Sequence, residues 1–347
     1  MRLLIVTQVV DSEDPTLGFF HRWLTEFGER CERVTVICLF EGVHALPSNV
    51  RVLSLGKENG WGTYSYVTRF FRYMWRERKH YDAVFVHMNP EYVVLGAPLW
   101  RLMRKRVGLW YTHKSVTVWL RLATWFADII FTASKESFRI PSSKVRIVGH
   151  GIDTRSFSPG AVATERKRCI VTVGRITRSK NSMGVIDVAK HVREQCSDIE
   201  LRIVGSAVTD IDREYERACR AYAEQQGFDP ERVFVGGLPH ERVVEVLHQA
   251  SVFVSMSETG SLDKAVLEAM ACGVPVVTTN EAGRQIIAHI VPECLVTSED
   301  DVVRVVRVVS EWSSEKRSQV ASALALEVAE NHSLKRLIPI LLHHMIP

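Results

Sequence analysis

Several things that would classify this chain of 347 residues at a glance are missing from it. It has only seven cysteines, an odd number without Cys-x-x-Cys spacing, so neither a disulfide framework nor a zinc set is expected. Most of them fall in apolar runs, the pattern of buried free thiols in a reducing compartment. No stretch approaches the ~20 apolar residues that a membrane span needs. The apolar start, residues 3–10, is too short for a secretory core, lacks a small-residue cleavage site and runs into Asp11. It reads as a first strand, and the chain as cytoplasmic. No Gly-x-Gly-x-x-Gly follows that strand and no Walker loop occurs, which argues against a dinucleotide-dependent dehydrogenase. Low-complexity segments and short repeats are absent as well.

What is present is ordinary in amount and uneven in placement. Apolar residues make up 46% and charged residues 24%, enough for sizeable cores in two domains. The surplus of Lys and Arg lies in the first 160 residues, and the remainder is net acidic. A basic first half suggests an anionic partner there: a phosphorylated acceptor or an anionic membrane surface rather than nucleic acid. Two stretches mix aromatic and basic residues, 64–79 and 99–106. Such helices can lie on anionic membranes, although a core-facing helix with a solvated basic face accounts for either one alone.

Short apolar runs alternate with helical patterns. Strands are predicted at 3–9, 33–39, 51–55, 83–87, 107–111, 129–132 and 145–148, with helices at 17–28, 64–78, 92–104 and 116–125. A Gly-rich turn and a polar stretch to Arg168 interrupt the pattern. It resumes with strands at 169–173, 200–204, 233–235, 252–255 and 274–278, and helices at 181–192, 213–225, 243–250 and 262–271; from Glu299 the chain is mostly helical. Runs that are apolar throughout are strands buried on both faces, as in parallel sheets. The reading is α/β, with two Rossmann-like doubly wound domains at 1–160 and 161–330 facing a central cleft, and a last helix, 331–347, packing back toward the first domain. In such folds ligands sit beyond the carboxyl ends of the strands.

Residues 257–277 carry the most chemistry. A Gly/Ser loop (Gly260, Ser261) opens a helix near Leu262, so unpaired backbone N–H groups and a positive helix end face outward. Glu268 lies inside that helix in apolar company, where a carboxylate is costly unless something polar meets it. A diphosphate at the helix end and ribose hydroxyls on Glu268 satisfy both features. The plain alternative for Glu268 is an ion pair with Lys264, four residues earlier. Arg175 and Lys180 follow the strand at 169–173, where fixed cations can meet a departing diphosphate; Arg178 reads as surface.

The segment resembles the donor motif of the retaining glycosyltransferases of family 4, whose pattern ends Glu-Ala-Met-Ala-x-Gly-x-Pro-Val-Val; residues 268–277 match it almost throughout. His150-Gly151-Ile152-Asp153 with Phe157 and Pro159, Gly174-Arg175-Ile176 with Lys180-Asn181, and residues 201–205 and 233–236 resemble further family motifs in order. The resemblance implies the GT-B architecture and a retaining, metal-independent transfer from a nucleotide-diphosphate sugar to a glycan or lipid-linked acceptor, without a cofactor. It implies that Arg175 and Lys180 hold the diphosphate and Glu268 the ribose. Gly18, the backbone of Gly260, Ser261 and Leu262, and Asp263 then complete the donor site, and His113 faces sugar or acceptor. The family's first glutamate falls on Gly260. Three readings of that departure stand: Glu258 or Asp263 takes over the sugar contact, backbone N–H groups hold the donor, or catalysis is lost. Retention of Arg175, Lys180 and Glu268 favours competence. A non-catalytic sugar-nucleotide or glycan-binding subunit and a sugar-nucleotide epimerase are the alternatives. His87 and His150, near strand ends, read equally as site or core, and Asp210-Ile211-Asp212 reads as helix capping rather than a metal pair.

Overall fold

The computed structural model describes residues 1–14, 16–160, 168–258 and 260–346. The polar linker expected over 161–167 lies outside the described residues. The chain divides into two units, 1–151 with 334–347, and 152–333.

The first unit is built from β1 (Arg2–Val10), α1 (Phe19–Arg30), β2 (Arg33–Glu41), β3 (Val50–Ser54), α2 (Thr63–Arg76), β4 (Ala83–His87), α3 (Pro90–Leu102), β5 (Arg106–Trp110), α4 (Val118–Phe126), β6 (Ile129–Thr132) and β7 (Val145–Ile147). Its seven strands are all parallel, in the order β3-β2-β1-β4-β5-β6-β7. Successive side chains of a strand point to opposite faces, and both faces are apolar here. Leu3 and Ile5 pack with Phe20, Trp23 and Phe27 of α1. Leu4 and Val6 pack on the other face, with Phe70 and Met74 of α2, Trp100 of α3 and Leu120 of α4.

The second unit contains β8 (Cys169–Val173), α5 (Ser182–Arg193), β9 (Glu200–Val204), α6 (Asp210–Gln225), α7 (Pro230–Val233), β10 (Phe234–Gly236), α8 (His240–Gln249), β11 (Val252–Ser255), α9 (Lys264–Ala271), β12 (Val276–Thr278), α10 (Glu281–Ile290), α11 (Glu299–Ser310) and α12 (Ser314–Asn331). Its five strands are also parallel, ordered β10-β9-β8-β11-β12. The final helix, α13 (Leu334–Met345), packs with α1, β5 and β6 of the first unit through Leu337, Ile338 and Leu341.

β4, β6, β8, β9 and β11 occupy the residues that the apolar runs predict. Helix starts differ more. α6 begins at Asp210 because Thr209 and Asp212 form a reciprocal capping box, so the Asp-x-Asp pair is capping chemistry. Six of the seven cysteines are buried and Cys196 is half-buried; all are free. Burial pushes the Cys31 thiol up to about 11 and Cys294 up to about 12.

No described helix is long and apolar enough to cross a membrane. The outward faces of α2 and α4 are nevertheless rich in large apolar side chains. Tyr64, Phe71 and Trp75 (53% exposed) lie on α2, and Val118, Trp119, Leu122 and Trp125 (65% exposed) on α4, with Leu102 at the end of α3. Arg72 and Arg121 are exposed on the same helices. The guanidinium of Arg78 lies over Trp75, and that of Arg101 over Trp125 and Phe126.

Candidate functional site

In the second unit the loops beyond the carboxyl ends of β8 and β11 meet. Gly174 follows β8 and Gly205 follows β9, both with positive φ (151° and 146°). A Cβ on Gly205 would stand 1.9 Å from the Gly174 carbonyl oxygen, so only glycine lets the two strand ends pack backbone to backbone. Arg175 follows at once and is exposed, with no hydrogen bond or salt bridge among the described residues. A short 3-10 turn, Arg178–Lys180, then leads to Asn181, which is left-handed (φ 51°) and caps α5 by accepting from the Gly184 N–H at 3.1 Å. The Lys180 side chain crosses back over Gly174.

The loop after β11 is tied to that turn twice. The Glu258 N–H donates to the Ser179 carbonyl at 3.0 Å, and the Lys180 ammonium pairs with the Asp263 carboxylate. Asp263 is the N-cap of α9 and accepts from the Ala265 N–H at 3.4 Å. The helix therefore starts at Lys264, two residues later than expected, because an aspartate that caps holds its own backbone extended. Gly260 has φ 72°, in the left-handed region. A glutamate there would be strained, which gives the departure from the family pattern a physical basis. The fully buried Asn280 pins the loop by donating from Nδ2 to the Ser261 carbonyl at 2.9 Å, while its Oδ1 caps α10. The Ser261 Oγ is buried and has no hydrogen-bond partner. Thr259 lies outside the described residues.

α9 is buried all round from Ala265 to Ala271, and Glu268 is 5% exposed. Its carboxylate pairs with Lys264, and the His240 Nε2 lies 3.1 Å from both the Glu268 Oε1 and the Lys264 Nζ. Burial works to raise the Glu268 carboxyl, but the Lys264 charge and the His240 ring outweigh it and hold it well below the usual carboxylate range. Glu268 is thus ionised and inside. The Lys264 pairing that the i,i+4 spacing allows is present, together with a histidine that the sequence reading missed. His240 is on α8, and its ring stands edge-on to Phe157, 4.8 Å between centroids. Local pattern carries no signal for it, because the contact spans 28 positions and needs the folded sheet.

The structure brings together Lys180, Asp263, Lys264 and Glu268, with Ser261 and Leu262 in the adjoining loop. Gly18 and His113 belong to the first unit. Gly18 starts α1, and a Cβ on it would stand 2.6 Å from the Asp14 carbonyl oxygen and 2.9 Å from that of Ser12, so the packing of its own loop already requires glycine. His113 is exposed in the loop after β5, and its Nδ1 accepts from the Ser115 N–H at 3.1 Å. His87 is core: its ring stacks on Phe20 at 4.0 Å, its Nδ1 lies 3.2 Å from the Thr7 hydroxyl, and burial lowers it to about 3. His150 is also buried, edge-on to Trp110.

Residues 154–323 match the family model described as glycosyl transferases group 1. Over 150 residues the chain is 31% identical to an Escherichia coli protein named as a colanic acid biosynthesis glycosyltransferase, WcaL, covering 41% of this chain and 36% of that one. It is also 31% identical over 152 residues to a D-inositol 3-phosphate glycosyltransferase of Acidothermus cellulolyticus, covering 40% and 34%. The matched part thus spans about a third of these relatives' own length. HepE from Anabaena, solved with UDP, superposes with a TM-score of 0.77 at 16% identity, covering 99% of this chain and 100% of that one. At that identity the likeness is one of fold: α/β, with two parallel doubly wound sheets, as in the GT-B class.

Proposed function

We propose, from the premise that residues 154–323 belong to the glycosyl transferases group 1 family, that the chain moves a sugar from a nucleoside diphosphate sugar to a hydroxyl of a glycan or lipid-linked acceptor. The observation that carries this reading is an ionised, buried Glu268 on α9, next to a loop pair holding Arg175 and Lys180. As the bond from the anomeric carbon to the phosphate oxygen breaks, negative charge grows on the departing diphosphate. Cations fixed in advance stabilise that state more than the ground state. Arg175 and Lys180 have this role, and Glu268 accepts from ribose hydroxyls. The backbone N–H groups of Gly260, Ser261 and Leu262 donate to phosphate oxygens. Asp263 sits at the same helix end. Gly18 and His113 are the first unit's contributions, His113 toward sugar or acceptor.

The transfer is retaining in this reading. The acceptor oxygen bonds to the anomeric carbon on the face the phosphate leaves, and the acceptor's proton passes to that phosphate. Arg175 and Lys180 meet the diphosphate charge, so no metal is called for. HepE is solved with UDP and with UDP-glucose, which makes uracil the first base to try.

Thermal unfolding with UDP, GDP and ADP tests the donor site, because a ligand that prefers the folded state raises its stability. One diphosphate should raise the Tm of the wild type and fail to do so in Glu268→Ala and Arg175→Ala. A folded chain indifferent to all three would remove the donor-site reading. Release of UDP from UDP-glucose separates an enzyme from the binding subunit that Gly260 leaves open.

For the first unit, an anionic membrane surface is the partner this reading favours. The observation behind it is the exposed Trp and Arg faces of α2 and α4, which suit the headgroup region.

A further inference from the structure

Lys180 and the N-terminal end of α9, two features that attract anions, already hold one. The Asp263 carboxylate takes the N–H of Ala265 at the positive end of α9, and it also pairs with the Lys180 ammonium. Both partners are shielded, with Lys180 25% and Asp263 11% exposed, so little of their attraction is lost to solvent. Beside them the Ser261 hydroxyl is buried and unsatisfied, an unusual state for a polar group in a native interior. Arg175, on the same rim, makes no salt bridge among the described residues, and its charge only assists the Thr209 hydroxyl in lowering the Asp212 carboxyl.

We infer that Asp263 is a built-in anion. Its carboxylate holds the position a phosphate would take, and a nucleoside diphosphate binds by exchanging for it. This rests on the donor-site reading and adds to it. Lys180 and the helix end become available to a phosphate only as Asp263 turns away, and the Ser261 hydroxyl then has an oxygen to donate to. Exchange also sets a charge requirement. A ligand must offer more negative charge than the single carboxylate it displaces, so a nucleoside diphosphate competes well and an uncharged nucleoside does not. Asp263 is then a specificity residue that opposes binding rather than a donor contact.

Titration calorimetry with UDP and with uridine on the full chain tests this. Asp263→Asn keeps an N-cap of equal quality and removes the charge; Asp263→Ser, also a good cap, guards against a folding defect in either. Both should bind UDP at least about fivefold more tightly than wild type, and the gain should shrink in the Lys180→Ala background, since coupled residues are non-additive. Uridine affinity should not change. Unchanged or weaker UDP binding in both variants, with wild-type binding intact, would overturn the inference, and weaker binding would make Asp263 a donor contact. Absence of UDP, GDP and ADP binding in the wild type and in both variants would sink the donor site itself.

Discussion

Around α9 each carboxylate has its own lysine: Asp263 pairs with Lys180, and Glu268 with Lys264. On the outward faces of α2 and α4 in the other unit, the guanidinium groups lie over rings, Arg78 on Trp75 and Arg101 on Trp125, and Arg72 and Arg121 are exposed without a carboxylate among the described residues. Glu268 and His87, one buried group from each unit, also differ, although the first unit buries Glu26 and Glu77 against arginines of its own. Glu268 stays charged because Lys264 and His240 meet it, whereas His87 is held neutral among aromatic rings. A shielded pair is insensitive to salt and yields only to a competing ion. Exposed arginines among aromatic residues respond to ionic strength and to any anionic surface.

Arg175, on the rim of the loop pair, makes no salt bridge among the described residues, and removing it should have the largest effect. Arg175→Ala should slow UDP release from UDP-glucose by about 10²–10³-fold, the usual loss when one donor to a developing anion is removed. A change under threefold would end the contrast between Arg175 and the paired lysines.

Acid should separate the two buried groups. The folded His87 value, about 3, lies below its ordinary 6.5, so the stability tied to a neutral His87 is complete above pH 6.5 and is lost as pH falls toward 3. The Glu268 contribution persists above about 4.5 and is lost only below it, because its folded value is depressed. Urea unfolding between pH 6.5 and 5 should therefore lose roughly 1.4 kcal/mol per pH unit through His87. His87→Phe, which keeps a ring against Phe20, should flatten that slope by one proton, and Glu268→Gln should not. An unchanged slope in His87→Phe would show that the ring does not titrate with unfolding.

Sedimentation with vesicles sharpens the surface half of the comparison. Vesicles rich in phosphatidylglycerol should retain the chain at low salt, and Trp75→Ala with Trp125→Ala should weaken that retention by about tenfold. Sodium chloride at 0.5 M should weaken it as well, while UDP binding changes less. Equal retention on neutral phosphatidylcholine would remove the role given to the arginines. The smallest effect belongs to a site outside both regions. Thr209→Ala should cost about 1 kcal/mol by opening the capping box of α6, with no effect on UDP or vesicle binding.

What the sequence made legible follows from how local each signal is. β4 and β8 are continuous apolar runs and fall where expected, since a strand buried on both faces announces itself in a few residues. α9 starts two residues after the expected Leu262 because Asp263 is its cap, and which residue caps is settled by a side-chain contact rather than by the apolar pattern. α10 was not read at all; only three of its residues are buried, so its periodicity is faint. Around α9, the pairing of Glu268 with Lys264 was legible from the i,i+4 spacing. His240 and Asn280 were not, since each acts on a residue many positions away. Nor could the motif show that the backbone at Gly260 is left-handed, which is what disfavours a glutamate there.

The burial of the cysteines has a practical side. Six thiols are enclosed, and Cys196, in the turn after α5, is the one that solvent reaches in part. A maleimide fluorophore applied briefly to the native chain should therefore go to a single position in the second unit, giving a spectroscopic reporter of that unit without changing any residue.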